Sequence, residues 1–271
     1  MPSMERQEPI DAAQSLVSER FPTAIAAFLA GSVLTSRRTS TSDLDIVVLL
    51  SGPPAPYRET LRVKGWIVEL FVQTPTSLRY YWNKETEAGR APLMRMCAES
   101  HVLTTSGNAA ADVQTEARKR LASGPPPVLP ETLSHRRYVL TALLDDFRGA
   151  TDPAELVYIA CALLNSASEI VLLSESSWLG SGKLLGRFLT EVDAGLVDRL
   201  ANGQRELMRS GDKDPLELAV IEALDRAGGP LAEGYRVDGD DLRQLTEIVR
   251  EKSRLNVAPY LADIDGAGGT G

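Results

Sequence analysis

Four prolines fall within eight residues at Ser123-Gly124-Pro125-Pro126-Pro127-Val128-Leu129-Pro130. Each one fixes φ and removes a backbone donor, so neither a helix nor a central strand can run through the segment. A chain of 271 residues is long enough for two domains of ordinary size, and the proline cluster is the place to divide it. The division predicts a first domain over 1–122, a linker over 123–130, a second domain over 131–262 and a disordered tail over 263–271, where the sequence runs out in glycines.

The two halves carry different periodicities. Before the prolines, Ala24–Ala30, Leu44–Leu50 and Trp66–Val72 are short apolar runs of strand length, two of them rich in Val and Ile. Helices are expected beside them, over Asp11–Glu19 and Asp112–Leu121. After the prolines the strand signals fade. Asp152-Pro153-Ala154-Glu155 and Asp214-Pro215-Leu216-Glu217 each set Asp at N-cap, Pro at N1 and Glu at N3, and Gly228-Gly229 is a suitable stop for the second helix. Apolar residues at Tyr138, Thr141, Ala142, Leu144 and Phe147, and at Leu242, Leu245, Ile248 and Val249, follow helical spacing with one buried face. The expected fold class is α+β: a mixed β-sheet flanked by helices, then an all-α helical bundle.

Several functions are disfavoured at once. Lys and Arg total 29 against 37 Asp and Glu, a net charge of −8, which suits a partner gripped through many phosphates poorly. A small anion bound at a local basic site stays open. The two cysteines, Cys97 and Cys161, read as reduced core thiols, and with His101 and His135 they form no metal-ligand spacing. The apolar stretch Val157–Leu173 is interrupted by Asn165, Ser166, Ser168 and Glu169, so no membrane span is expected. Met1–Arg20 is polar and mildly acidic without a basic region leading into an apolar core, which predicts a cytoplasmic protein.

The stretch richest in chemistry is Gly31-Ser32 followed, after ten residues, by Asp43-Leu44-Asp45-Ile46-Val47-Val48. A glycine turn at the end of a strand permits close backbone approach, and amides at a helix start favour phosphate. Side chains two apart on a strand share a face, so Asp43 and Asp45 project together. Two carboxylates beside an apolar strand repel unless a cation intervenes, and magnesium suits carboxylates combined with phosphate oxygens. Glu69 lies mid-strand among apolar neighbours and calls for a partner. The Asp43/Asp45 site is one candidate; a salt bridge to Arg62 or Lys64 is another. The aspartates themselves also have an alternative reading as turn or N-cap residues.

These residues resemble the signature of the DNA polymerase beta-like nucleotidyltransferase superfamily, and the small-molecule, aminoglycoside nucleotidyltransferase-like branch shares the arrangement of a core sheet followed by a helical domain. The resemblance covers roughly residues 24–72 in motif and the remainder in architecture. It implies that Asp43 and Asp45 bind one or two magnesium ions. Glu69 would be a third metal ligand or the general base, and Gly31, Ser32 and Ser42 would hold the nucleotide's phosphates. It further implies transfer of a nucleoside monophosphate, AMP from ATP, to a hydroxyl of a small molecule, with an aminoglycoside-like acceptor as the family-level expectation. Neither a membrane nor long nucleic acid is expected as partner. The sequence departs from the family pattern at Ser36, where members often have a second glycine, and the loop Thr35–Ser42 is instead rich in hydroxyls with Arg37 and Arg38 among them.

Beyond the prolines, Gly180-Ser181-Gly182-Lys183 lacks P-loop spacing, having Leu184 where Ser or Thr belongs. Lys183 and Arg187 would share a helix face. By resemblance Lys183 reaches the triphosphate; by composition alone the pair is a solvated helix face. Two further readings of the whole chain stay in play: an antitoxin-type transferase that places AMP on a protein, and a nucleotide-binding module without turnover.

Overall fold

Residues 7–238 are described by the computed structural model. They divide into two units, residues 7–87 with 91–123 and residues 88–90 with 124–238. In the first unit the three apolar runs become β1 (Ala26–Ala30), β2 (Leu44–Leu49) and β4 (Trp66–Gln73). Two strands that the apolar runs do not foretell, β3 (Tyr57–Val63) and β5 (His101–Thr105), complete a five-stranded sheet in the order β3-β4-β2-β1-β5. Both are edge strands, and edges are kept polar: β3 reads Tyr-Arg-Glu-Thr-Leu-Arg-Val with every second residue exposed. The sheet is mixed, since β2 and β4 run parallel while the other neighbours are antiparallel.

Helix α1 (Pro9–Arg20) lays Ala12, Ala13, Leu16 and Val17 on one face of this sheet, against Ala27, Leu29, Ile46, Val48, Val68 and Leu70. The alternate residues Phe28, Val47 and Phe71 point to the other face and are buried as well. Helices α2 (Pro75–Glu87), α3 (Pro92–Ala98) and α4 (Ala109–Ala122) complete the unit, α2 packing on β4 and α3 and α4 on β1. Between α2 and α3 lies a buried brace. Glu85, 5% exposed, accepts the N–H groups of Leu93 at 2.8 Å and Met94 at 3.2 Å in the first turn of α3. Burial pushes its carboxyl up to about 8 and raises the neighbouring Cys97 thiol, so that cysteine stays protonated.

The second unit is helical among its described residues: α5 (Pro130–Gly149), α6 (Pro153–Ser174), α7 (Lys183–Ser210) and α8 (Asp214–Arg226). Asp152 caps α6 as its sequence motif predicts, accepting from the N–H groups of Ala154 and Glu155 at 2.7 and 3.0 Å. Asp214 does not repeat this. It is the first helical residue of α8, with Lys213 in the cap position and no side-chain cap. Lys213 instead donates to the carbonyls of Phe147, Arg148 and Ala150 at the end of α5, holding the start of α8 to the C-terminus of α5. Gly228 and Gly229, both at positive φ, end α8. The helical pattern at 242–249 and the tail over 263–271 lie outside the described residues.

Helix α6 packs against α5, α7 and α8 and buries Ala160, Leu163, Ala167, Ile170, Val171 and Leu172 in their common core. That position accounts for the apolar residues of its C-terminal half, whereas Val157 and Tyr158 near its start are exposed. By length and composition α6 is also long and apolar enough to cross a membrane, despite the polar residues that interrupt it. Cys161 corrects the expectation of two core thiols: it lies exposed on α6, and only Cys97 is buried.

Candidate active site

The parallel register of β2 and β4 sets Asp45 directly beside Glu69. Asp43 lies just before β2, two residues from Asp45, and so returns to the same face. The three side chains each turn a carboxylate oxygen inward, and these oxygens lie within 4.8 Å of one another. All three residues are half-buried. Three carboxylates held this close repel, and the arrangement suits a divalent cation, which binds oxygen donors of this kind.

A second observation supports the fit. Gly31 ends β1 with φ of 92°, a conformation that favours glycine. A Cβ built on it would lie 2.5 Å from Oδ2 of Asp45. The turn therefore passes against the aspartate, and only hydrogen fills the gap between them. Ser32 follows in a single 3-10 turn, Ser32–Leu34. Its hydroxyl lies 3.0 Å from that of Ser42, which is itself buried and accepts the N–H of Thr39 at 3.0 Å. Gly31, Ser32, Ser42 and Asp43 are thus contributed by the β1–β2 connection and Asp45 by the start of β2, and Glu69 lies beside Asp45 on the adjacent strand.

Ser36 does not need to be glycine. The non-glycine residues at positive φ among those described are Lys64 and Ser176, so this loop turns without demanding one at 36. Its hydroxyls serve the loop itself: Thr35 Oγ1 accepts the N–H of Arg37 and Thr39 Oγ1 that of Thr41. Arg38 turns toward Glu8 and the Trp66 ring. Lys183 opens α7 in the second unit, and its nucleotide contact rests on the resemblance alone. The glycine-rich turn before it has a packing role, since a Cβ on Gly180 would strike the backbone of Leu184 and Leu185 at 2.6 Å. Arg90 donates to the Gly180 carbonyl at 2.9 Å.

Glu69 has a cationic partner, though neither Arg62 nor Lys64. Arg58 on β3 donates to Glu69 Oε2 at 2.6 Å. The signal for this pair was in the turn: Lys64-Gly65, both at positive φ, form a two-residue hairpin loop, which places Val63 opposite Trp66, Thr60 opposite Glu69 and Arg58 opposite Phe71. Arg58 is then one diagonal step from Glu69 on the same face.

No protein-family model matches the chain, and no curated protein matches it in sequence. Among solved structures it is similar to the crystal structure of a nucleotidyltransferase-like protein from Exiguobacterium sibiricum, at 13% identity and a TM-score of 0.42, over 90% of this chain and 77% of that one.

Proposed function

We propose that this chain is a divalent-metal-dependent nucleotidyltransferase that moves AMP from ATP to a hydroxyl group of a small molecule. The observation that carries the reading is the convergence of Asp43, Asp45 and Glu69 to within 4.8 Å beside a glycine turn whose backbone abuts Asp45. The spacing of Gly31-Ser32 from Asp43 and Asp45, and its resemblance to the nucleotidyltransferase signature, supports the same reading. When bound, the cation, magnesium by its preference for carboxylate and phosphate oxygens, supplies stabilisation of charge on the attacking and leaving oxygens.

The chain's own residues divide the remaining work. Asp43 and Asp45 hold the cation. Gly31 keeps Asp45 in place and lets the nucleotide's phosphates approach the backbone, with Ser32 and Ser42 as hydroxyl donors to them. The acceptor's hydroxyl oxygen attacks the α-phosphorus, the bond to the bridging oxygen of pyrophosphate breaks, and pyrophosphate leaves with the bonding pair. Glu69 takes the hydroxyl proton, directly or through a water. The chemistry needs no histidine.

Calorimetric titration of ATP with Mg²⁺ into the wild type and into Asp45→Asn tests this, with the other nucleoside triphosphates for base preference. Metal-dependent binding that Asp45→Asn abolishes is expected, followed by pyrophosphate release when hydroxylated acceptors are supplied. ATP binding that ignores both the metal and the substitution would overturn the assignment.

A further inference from the structure

Arg58 touches Glu69 in a way the transfer reaction does not require, and its position is over-determined. The cross-strand register sets it opposite Phe71, and its guanidinium lies 4.8 Å from the centre of that ring. Phe71 is 5% exposed, so the ring is a fixed floor. From there the guanidinium reaches diagonally to Glu69 Oε2 at 2.6 Å. A planar cation held by an aromatic face on one side and a carboxylate on the other has little freedom to swing away. Arg58 lies on the exposed side of its edge strand, yet only 33% of its side chain and 26% of that of Glu69 reach solvent, so their attraction is screened somewhat less than that of a fully solvated pair.

We propose that Arg58 is a resident counter-cation on Glu69 that limits how strongly the carboxylate cluster grips a bare divalent metal ion. The inference rests on the metal-site reading above. Three carboxylates converge here, and Arg58 cancels one of their three negative charges while engaging one oxygen of Glu69. Its own positive charge also repels a cation held by the carboxylate it touches. A cluster weakened in this way leaves the set to be completed by the oxygens of a bound polyphosphate, which bring their own negative charge. Arg58 also keeps the Glu69 carboxylate in one orientation when no metal is bound, which makes it a positioning residue.

Two effects of removing Arg58 oppose each other. Loss of orientation at Glu69 weakens metal binding, and loss of a neighbouring positive charge strengthens it. Charge wins, because one fixed rotamer is worth less than a unit charge acting on a divalent ion held by the carboxylate it touches. The proposal therefore predicts a gain of affinity, which damage to the structure would not produce.

The test is titration of the full chain with Mn²⁺ in the absence of nucleotide, the free ion being read by electron paramagnetic resonance. Arg58→Gln, which keeps a hydrogen-bond donor for Glu69 but no charge, is expected to bind Mn²⁺ about tenfold more tightly than the wild type. The gain should shrink as salt is raised. Arg58→Lys, which restores the charge, should return to the wild-type value, and Arg58→Met should reproduce the gain if the glutamine variant folds poorly. Equal or weaker binding by the two uncharged variants would overturn the role of Arg58 and leave the metal site standing. Absence of Mn²⁺ binding from the wild type and both uncharged variants would overturn the metal site and this role together.

Discussion

An alanine at Gly31 brings two faults that can be separated. One is backbone strain, since φ is 92° there; the other is a Cβ 2.5 Å from the Asp45 carboxylate. Gly107, in the same unit, has φ of 56° and open space around its would-be Cβ, so Gly107→Ala carries the first fault alone. Gly107→Ala is expected to lose on the order of 1 kcal/mol of stability, and Gly31→Ala more, because φ of 92° with ψ of −177° is a conformation that essentially only glycine adopts. Only Gly31→Ala should also displace Asp45, lowering Mn²⁺ affinity at least tenfold while Gly107→Ala leaves it unchanged. Titration of the metal into both variants checks this, and an equal loss in both would remove the steric role assigned to Gly31. At this scale the carboxylate cluster and the turn against it were largely legible. Gly31, Asp43 and Asp45 announce themselves by spacing, and Glu69 by being an acid in an apolar strand. Arg58 was not legible from composition, because a charged residue on an edge strand is ordinary; only the register that Lys64-Gly65 imposes makes it a neighbour of Glu69.

Among the elements, the α2–α3 brace is the one whose behaviour pH should reveal. Glu85 is held by two backbone N–H groups, which favour the carboxylate, but desolvation outweighs them and its pKa rises from 4.5 to about 8. The folded state therefore keeps a proton that the unfolded chain has already released. By linkage, the stability contributed by Glu85 is present below 4.5 and is lost as pH climbs to about 8, with a slope of at most about 1.4 kcal/mol per pH unit. Glu85→Gln cannot titrate, so denaturant unfolding across that window should give a flatter profile for the variant. Parallel profiles would mean that the brace is ionised throughout. Sequence foresaw elements of this kind unevenly. The cap at Asp152 was legible because its motif is local, whereas Asp214 bears the same motif and does not cap, its place having been taken by Lys213 reaching the end of α5. The break within α7 at Asp193 had no visible punctuation either: Asp193 accepts the N–H of Leu196 at 2.8 Å and pairs with Arg226 from α8, a tertiary contact that local periodicity does not encode.

For the whole molecule, the separation of the two hydrophobic cores matters more than any single contact. One cluster gathers α1 with the sheet; the other gathers α5 to α8 around α6. A core is the unit of cooperative unfolding, so two cores predict two transitions that respond to different perturbations. The carboxylate cluster belongs to the first. A bound metal stabilises only the unit that holds it, by about 2.7 kcal/mol at a hundredfold excess over Kd, which amounts to several degrees in a domain of this size. Leu163 is fully buried in the second core, and Leu163→Ala should cost that unit about 2–5 kcal/mol. Scanning calorimetry of the full chain is expected to show one transition raised by Mn²⁺ and indifferent to Leu163→Ala, and another lowered by Leu163→Ala and indifferent to Mn²⁺. In Asp45→Asn the first should lose its response to the metal while the second stays where it was. A single transition moved by both perturbations would show instead that the two cores unfold as one, and that metal at the sheet stabilises the helical unit as well.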